Sequence, residues 1–210
     1  MNGFIKELCD RKPQLQPLAP SIEEAFRVMV HSFKNNGKLL ICGNGGSAAD
    51  ADHIAGELIK NYLMPRPLKE ELSAALLESG HADASFLAST LQRGLPAKSL
   101  GVHGAAITAV MNDMSPDLIF AQQVMAFGLP GDVLLCISTS GNARNVTLAA
   151  VSARFLGMKT IALTGRTGGE LARECHTVIV SPGEITPDIQ ENHISIYHAL
   201  CAAIEGEVFA

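Results

Sequence analysis

Five short stretches of the chain are rich in aliphatic and β-branched residues without a regular polar interruption. They are Lys38–Cys42 (KLLIC), Ala97–Val102, Asp132–Ser138 (DVLLCIS), Thr160–Thr164 (TIALT) and His176–Val180 (HTVIV). A strand that is apolar on both faces needs cover on both faces, which marks a parallel sheet sandwiched between helices. Patterns of helical period fill the gaps, at Ser47–Asn61, Asp117–Phe127, Asn142–Leu156 and Gly168–Cys175, with a last one from Pro187 to Val208. The alternation predicts the α/β class, as a doubly wound three-layer α/β/α sandwich of the flavodoxin or Rossmann kind.

Two segments stand outside this rhythm. Ahead of the first strand, Ser21–Asn35 reads as a helix with Ser21 as N-cap, Glu24 completing a capping box, and the Asn35-Asn36-Gly37 triplet as its stop. Its stripe of Ile22, Ala25, Phe26, Met29, Val30 and Phe33 must pack on its own domain or on a second subunit. Between Arg66 and Leu95, apolar residues at helical spacing on either side of Ser79-Gly80-His81 predict two short amphipathic helices, inserted between the first two strands. No repeat, low-complexity tract or linker divides the chain. Residues 1–210 are therefore expected to form one domain, with an N-terminal helical segment over about 1–36 and a helical insertion over about 66–95.

The composition narrows the function classes. A 210-residue chain with 47% hydrophobic and 18% charged residues is not disordered. A net charge of −5 has the wrong sign for coating a nucleic acid, so any phosphate must be held locally and no nucleic-acid partner is expected. The five cysteines, Cys9, Cys42, Cys136, Cys175 and Cys201, are odd in number and widely spaced, which points to buried thiols in a reducing compartment. The opening MNGFIKELCDRKPQLQP lacks the apolar core of a secretory signal, and no run approaches a membrane span. A cytoplasmic location follows as an expectation.

Candidate chemistry sits where strands meet helices. The first strand runs into Asn44-Gly45-Gly46-Ser47 and then a helix; glycines let the backbone turn sharply beside a ligand, and a helix start favours an anion. The spacing is neither that of a dinucleotide fingerprint nor that of a nucleoside-triphosphate loop. After the third strand comes Ser138-Thr139-Ser140-Gly141-Asn142, with more hydroxyls than one helix cap uses. Two such loops at strand carboxyl ends predict a phosphorylated ligand. Along the first of these helices His53 and Glu57 are four residues apart, on one face and able to share an ion.

Four segments in order, CGNGGSAADADH, ISTSGNARNV, LTGRTGGELA and TPDIQENHISIYH, resemble the SIS (sugar isomerase) domain family, and within it the bacterial phosphoheptose isomerases. The resemblance implies a five-stranded parallel sheet, a homotetramer with sites shared between subunits, and conversion of sedoheptulose 7-phosphate to D-glycero-D-manno-heptose 7-phosphate. It also implies a divalent metal, usually zinc, with ligands at His53, Glu57, Gln190 and His198. It casts Glu57 as the base and His198 as the acid of an enediol mechanism. Substrate contacts fall on Asn44, Gly45, Gly46, Ser47, Asn112, Asp113, Ser138, Thr139, Ser140 and Gln190.

Residue chemistry agrees in part. A carboxylate in a dry cleft is pushed upward toward neutrality, and histidine titrates there already. Gln190 and His198 lie about 12 Å apart along a helix and about 80° apart around it, so Gln190 is equally readable as a contact to a substrate hydroxyl. His193 lies about 140° from His198 and is read as structural. Asp113 has a second reading, as the cap of a helix starting near Asp117. The chain departs from the family pattern at Gly56, Ala143 and Asp188, which stand in place of a glutamate, a serine and an arginine, and in its longer insertion. Arg144, beside the second loop, is a candidate to compensate for the lost charge. A non-catalytic phosphosugar-binding SIS regulator, similar to the replication-initiator-associating protein, is the alternative; Glu57 and His198 together favour the enzyme.

Overall fold

The computed structural model describes residues 1–209. Five parallel strands, β1 (Leu39–Gly43), β2 (Ala97–Ser99), β3 (Val133–Ser138), β4 (Lys159–Gly165) and β5 (Thr177–Ser181), form one sheet in the order β2-β1-β3-β4-β5. The continuous apolar runs are explained by alternation between two cores. Leu39, Ile41, Val133, Leu135 and Ile137 point into one face, and Leu40, Cys42, Leu134 and Cys136 into the other, so every residue of β1 and β3 is buried.

The first face is covered by α1 (Gly3–Arg11), α2 (Ala19–Lys34), α3 (Gly46–Ile59) and α10 (Thr186–Phe209). The second is covered by α7 (Ala121–Phe127), α8 (Arg144–Phe155) and α9 (Leu171–Glu174). The expected three-layer α/β/α sandwich is the fold observed.

Several boundaries are corrected. The N-terminal segment holds two helices and a 3-10 turn, Pro13–Leu18, and α2 begins at Ala19. Ser21 therefore lies inside α2, where its hydroxyl donates back to the Leu18 carbonyl (2.9 Å), and Glu24 pairs with Arg27; there is no capping box. The stripe of α2 is buried within its own chain. β2 stops at Ser99, and a helix absent from the sequence reading, α6 (Gly104–Asp113), follows it. The helix expected from Asp117 is a 3-10 turn, Pro116–Leu118, followed by α7.

The insertion forms α4 (Glu70–Glu78) and α5 (Ala84–Thr90) as expected. Its ends are pinned together by an antiparallel bridge between Pro67 and Gln92 and by hydrogen bonds from Arg66 N–H to Gln92 Oε1 (2.6 Å) and from Arg93 N–H to the Arg66 carbonyl (2.7 Å). No side chain of α4 or α6 is buried, and α5 buries Ala84 alone. Among the described residues no helix is long and apolar enough to cross a membrane.

Candidate active site

In this strand order the chain leaves β1 in one direction for β2 and returns on its other side as β3, which opens a crevice at the carboxyl ends of β1 and β3. Both glycine and hydroxyl loops lie there. Gly45 at the start of α3 takes φ +56 and ψ −121, a conformation for glycine alone. Asn44 and Asn145 exchange amide hydrogen bonds of 2.9 and 3.1 Å across the crevice, tying the two loops together; Asn145 was missed because only its spatial neighbour gives it a role. Between them is a cavity of about 190 Å³ lined by Asn44, Ser47, Ile137, Ser138, Thr139, Ser140 and Ala143.

The third sequence segment buttresses this loop. Gly141 has φ +67, and a side chain there would collide with the Gly168 carbonyl; Leu171 N–H donates to the Gly141 carbonyl (2.9 Å) and Glu170 N–H to Asn142 Oδ1 (3.1 Å). No residue lining the cavity is charged. Arg144, beside the loop, forms an exposed ion pair with Asp117 at 2.9 Å. What the cavity offers an anion is hydroxyl donors and the positive end of α3.

Two turns further along α3 is a second cluster. His53 Nε2 lies 3.2 Å from Glu57 Oε1, and the His53 ring meets the His198 ring edge-on at 5.0 Å. The Tyr197 hydroxyl donates to Asp50 Oδ1 (3.3 Å) and lies 3.0 Å from His53 Nδ1, while Tyr62 stacks on His198 at 5.8 Å. Tyr197, Asp50 and Tyr62 were not singled out from sequence. Burial raises Asp50 despite the Tyr197 hydrogen bond and the His53 charge, and its Oδ2 is buried without a partner. Burial pulls Glu57 upward, but hydrogen bonds and charge from Lys60 (2.9 Å) and His53 outweigh it, leaving Glu57 below the usual carboxylate value. The expected upward shift of Glu57 is thus reversed in this chain. Burial and the neighbouring His53 lower His198, against the pull of Glu57.

Other expected site residues are elsewhere. Gln190 abuts Gly46, where a side chain would strike its amide nitrogen, so it belongs to the first loop rather than to the imidazoles. Asn112 and Asp113 end α6, exposed and bonded to each other (2.7 Å), and do not line the cavity. Asp113 caps nothing at Asp117; Ser115 does so. His193 is fully buried with Nε2 on the Thr164 carbonyl (3.0 Å), as its structural reading requires. His198 lines a separate cavity of about 190 Å³ with Leu8, Arg11, Lys12 and Ser195. Within one chain, therefore, α3 links the hydroxyl loop to the imidazole–carboxylate cluster, while the loop and His198 open to different cavities.

The donor set suits a divalent cation. The Tyr197 hydroxyl is directed at Asp50 and so can accept from His53 Nδ1, while His53 Nε2 faces Glu57 Oε1 at 3.2 Å; an imidazole nitrogen and a carboxylate at that separation can share a proton, as in the hydrogen bond that lowers Glu57, or exchange it for a divalent cation. Among the described residues, no three His, Cys, Asp or Glu side chains already surround one point.

A parallel sheet whose switch-point crevice carries a hydroxyl cradle, with a histidine–glutamate pair on the adjoining helix, is the arrangement of a phosphosugar enzyme. The SIS domain family model matches residues 4–91 and 73–165, and the chain belongs to that family. It is 42% identical over 192 residues to the phosphoheptose isomerase of Thiobacillus denitrificans, covering 90% of this chain and 84% of that one. Against the phosphoheptose isomerase of Akkermansia muciniphila the identity is 36%, over 100% and 99% of the two chains. The solved phosphoheptose isomerase from Francisella tularensis superposes with a TM-score of 0.77 at 35% identity, over 93% and 91%. Within the SIS family the chain thus belongs to the phosphoheptose isomerases, and it is an aldose–ketose isomerase.

Proposed function

We propose that the chain interconverts sedoheptulose 7-phosphate and D-glycero-D-manno-heptose 7-phosphate through an enediol, with Glu57 as base and His198 as acid. The observation that carries this reading is that one helix, α3, bears the cradle residue Ser47 at its start and His53 and Glu57 further along. Ser47 and His53 are separated by about 9 Å of helical rise, so the two ends of the proposed site are set apart by one rigid element.

Ser138, Thr139 and Ser140 donate to the phosphate oxygens, and the amino end of α3 adds its dipole. Asn44 and Ser47 border the sugar chain next to the phosphate, and Gln190, against Gly46, is placed for a hydroxyl. Its low value keeps Glu57 ionised and able to accept the proton from C1 or C2, and neutral His198 holds an N–H to give the carbonyl oxygen. A divalent ion such as zinc, held by His53, Glu57 and His198, would polarise the substrate carbonyl. Residues Asn112 and Asp113 join the site in the assembled particle. A homotetramer is supported by the unburied faces of α4, α5 and α6, which leave Leu72, Leu77, Phe86, Met111 and Met114 exposed, and by the separate cavities of cradle and His198. The cytoplasm is the proposed location, in keeping with five free cysteines.

The test is solvent deuterium exchange into the sugar phosphate. Glu57→Gln is expected to lose exchange and turnover by about 10²–10⁴-fold while phosphosugar affinity stays within about tenfold. Normal turnover of Glu57→Gln would remove the base assignment.

A further inference from the structure

Arg66 and Glu205 form an ion pair with side-chain exposures of 0% and 1%, Nε to Oε1 at 2.7 Å. Burying two charges is costly, and apolar residues of similar volume serve a core at least as well, so the partners of the remaining polar atoms are informative. Arg66 Nη1 donates to the Leu58 carbonyl (2.8 Å) and Nη2 to the Glu57 carbonyl (3.4 Å). Both carbonyls lie in the last turn of α3, whose cap residue Lys60 is extended, and so have no partner within the helix; that of Leu58 also accepts the Leu95 N–H (2.9 Å). The planar fork of arginine reaches the glutamate and both carbonyls at once, and its charge matches the negative end of the helix. Glu205, two turns beyond His198 on α10, accepts the N–H groups of Tyr62 (2.7 Å), Leu63 (2.6 Å) and Met64 (3.1 Å). That fixes the loop which lays the Tyr62 ring on His198.

We propose that Arg66 and Glu205 are positioning residues for the isomerisation: one buried ion pair holds the last turn of α3, and with it Glu57, and sets the loop that braces His198 through Tyr62. This rests on the reading of Glu57 as base and His198 as acid. Both groups are held through the backbone or a ring face, so neither Arg66 nor Glu205 touches substrate. The phosphate cradle, at the opposite end of α3, is untouched by the pair.

The experiment uses the full-length protein with sedoheptulose 7-phosphate, comparing Arg66→Lys, Glu205→Gln, Tyr62→Leu and Glu57→Gln, with folding followed by circular dichroism and thermal melting. Lysine keeps the charge but cannot reach Glu205 and two carbonyls together; Arg66→Lys is expected to lose kcat by about 10–100-fold with KM within about threefold, the signature of displaced reacting groups. Glu205→Gln is expected to follow in the same direction. Tyr62→Leu leaves the pair intact and a half-buried surface position filled, and is expected to lower kcat several-fold at unchanged KM. Native kcat in folded Arg66→Lys or Glu205→Gln, a loss confined to KM, or failure of both to fold would overturn the proposal and make the pair structural alone; native kcat in Tyr62→Leu would overturn its His198 limb. An active Glu57→Gln would sink the acid–base reading itself, whereas an inactive Glu57→Gln beside a fully active Arg66→Lys would sink only the positioning.

Discussion

The two ends of α3 solve different problems by different means. At its amino end the crevice is shaped by backbone: Gly45 and Gly141 take positive φ, Gly141 presses on Gly168, and the only side chains on offer are uncharged. At the carboxyl end the backbone is an ordinary helix, and the polar cluster consists of side-chain atoms of His53, Glu57, Tyr197 and Lys60 linked by hydrogen bonds. A loop shaped by positive-φ glycines is intolerant of added atoms, whereas an ordinary helix turn tolerates them and depends on the side chains it carries.

A matched pair of substitutions breaks this contrast or establishes it. Gly141→Ala adds a methyl group where φ is positive and the Gly168 carbonyl is already in the way, and is expected to cost about 3 kcal/mol of stability in urea unfolding. Gly56→Ala adds the same group on an exposed helical turn with open space around it, next to Glu57, and should stabilise by about 0.5–1 kcal/mol. Equal effects of the two would erase the distinction.

Atom removal at the cradle sharpens it. Ser138→Ala and Ser140→Ala should each weaken phosphosugar binding by about 1–2 kcal/mol by calorimetry, through lost hydrogen bonds to a charged group. Native affinity in the double variant would take the cradle out of the account. The smallest effect is a pH slope in stability. Burial lowers His193 despite its bond to the Thr164 carbonyl, so the folded state takes up a proton at lower pH than the unfolded chain. Its contribution is whole above the unfolded value of about 6.5 and is lost as pH falls from there through the lower folded value. His193→Gln should flatten the urea midpoint over that interval, and an unchanged slope would assign it to other groups.

The central strands β1 and β3 were legible because each is buried on both faces, which leaves uninterrupted apolar runs such as VLLCIS. Both loops were legible because glycine and serine cluster where a helix start meets a strand end. α6 was not: GAAITAVMND buries no side chain, so no stripe sets its period. α1 buries only Ile5, Leu8 and Cys9 within a polar stretch, too few to stand out. The hydrogen bond from Tyr197 to Asp50 spans 147 residues, and a fully buried Arg66 reads in sequence as ordinary surface charge. The helix pairing of His53 with Glu57 could be read from spacing alone, but the reversal of the Glu57 shift could not, since it depends on where Lys60 swings its ammonium.

The bridge between Pro67 and Gln92 makes everything between them a closed excursion: the chain leaves and re-enters at one place, and the cost of closing it grows only slowly with its length. Evolution and engineering can therefore lengthen, shorten or exchange α4 and α5 as a cassette, while Arg66, at the gatepost, keeps its hold on the last turn of α3.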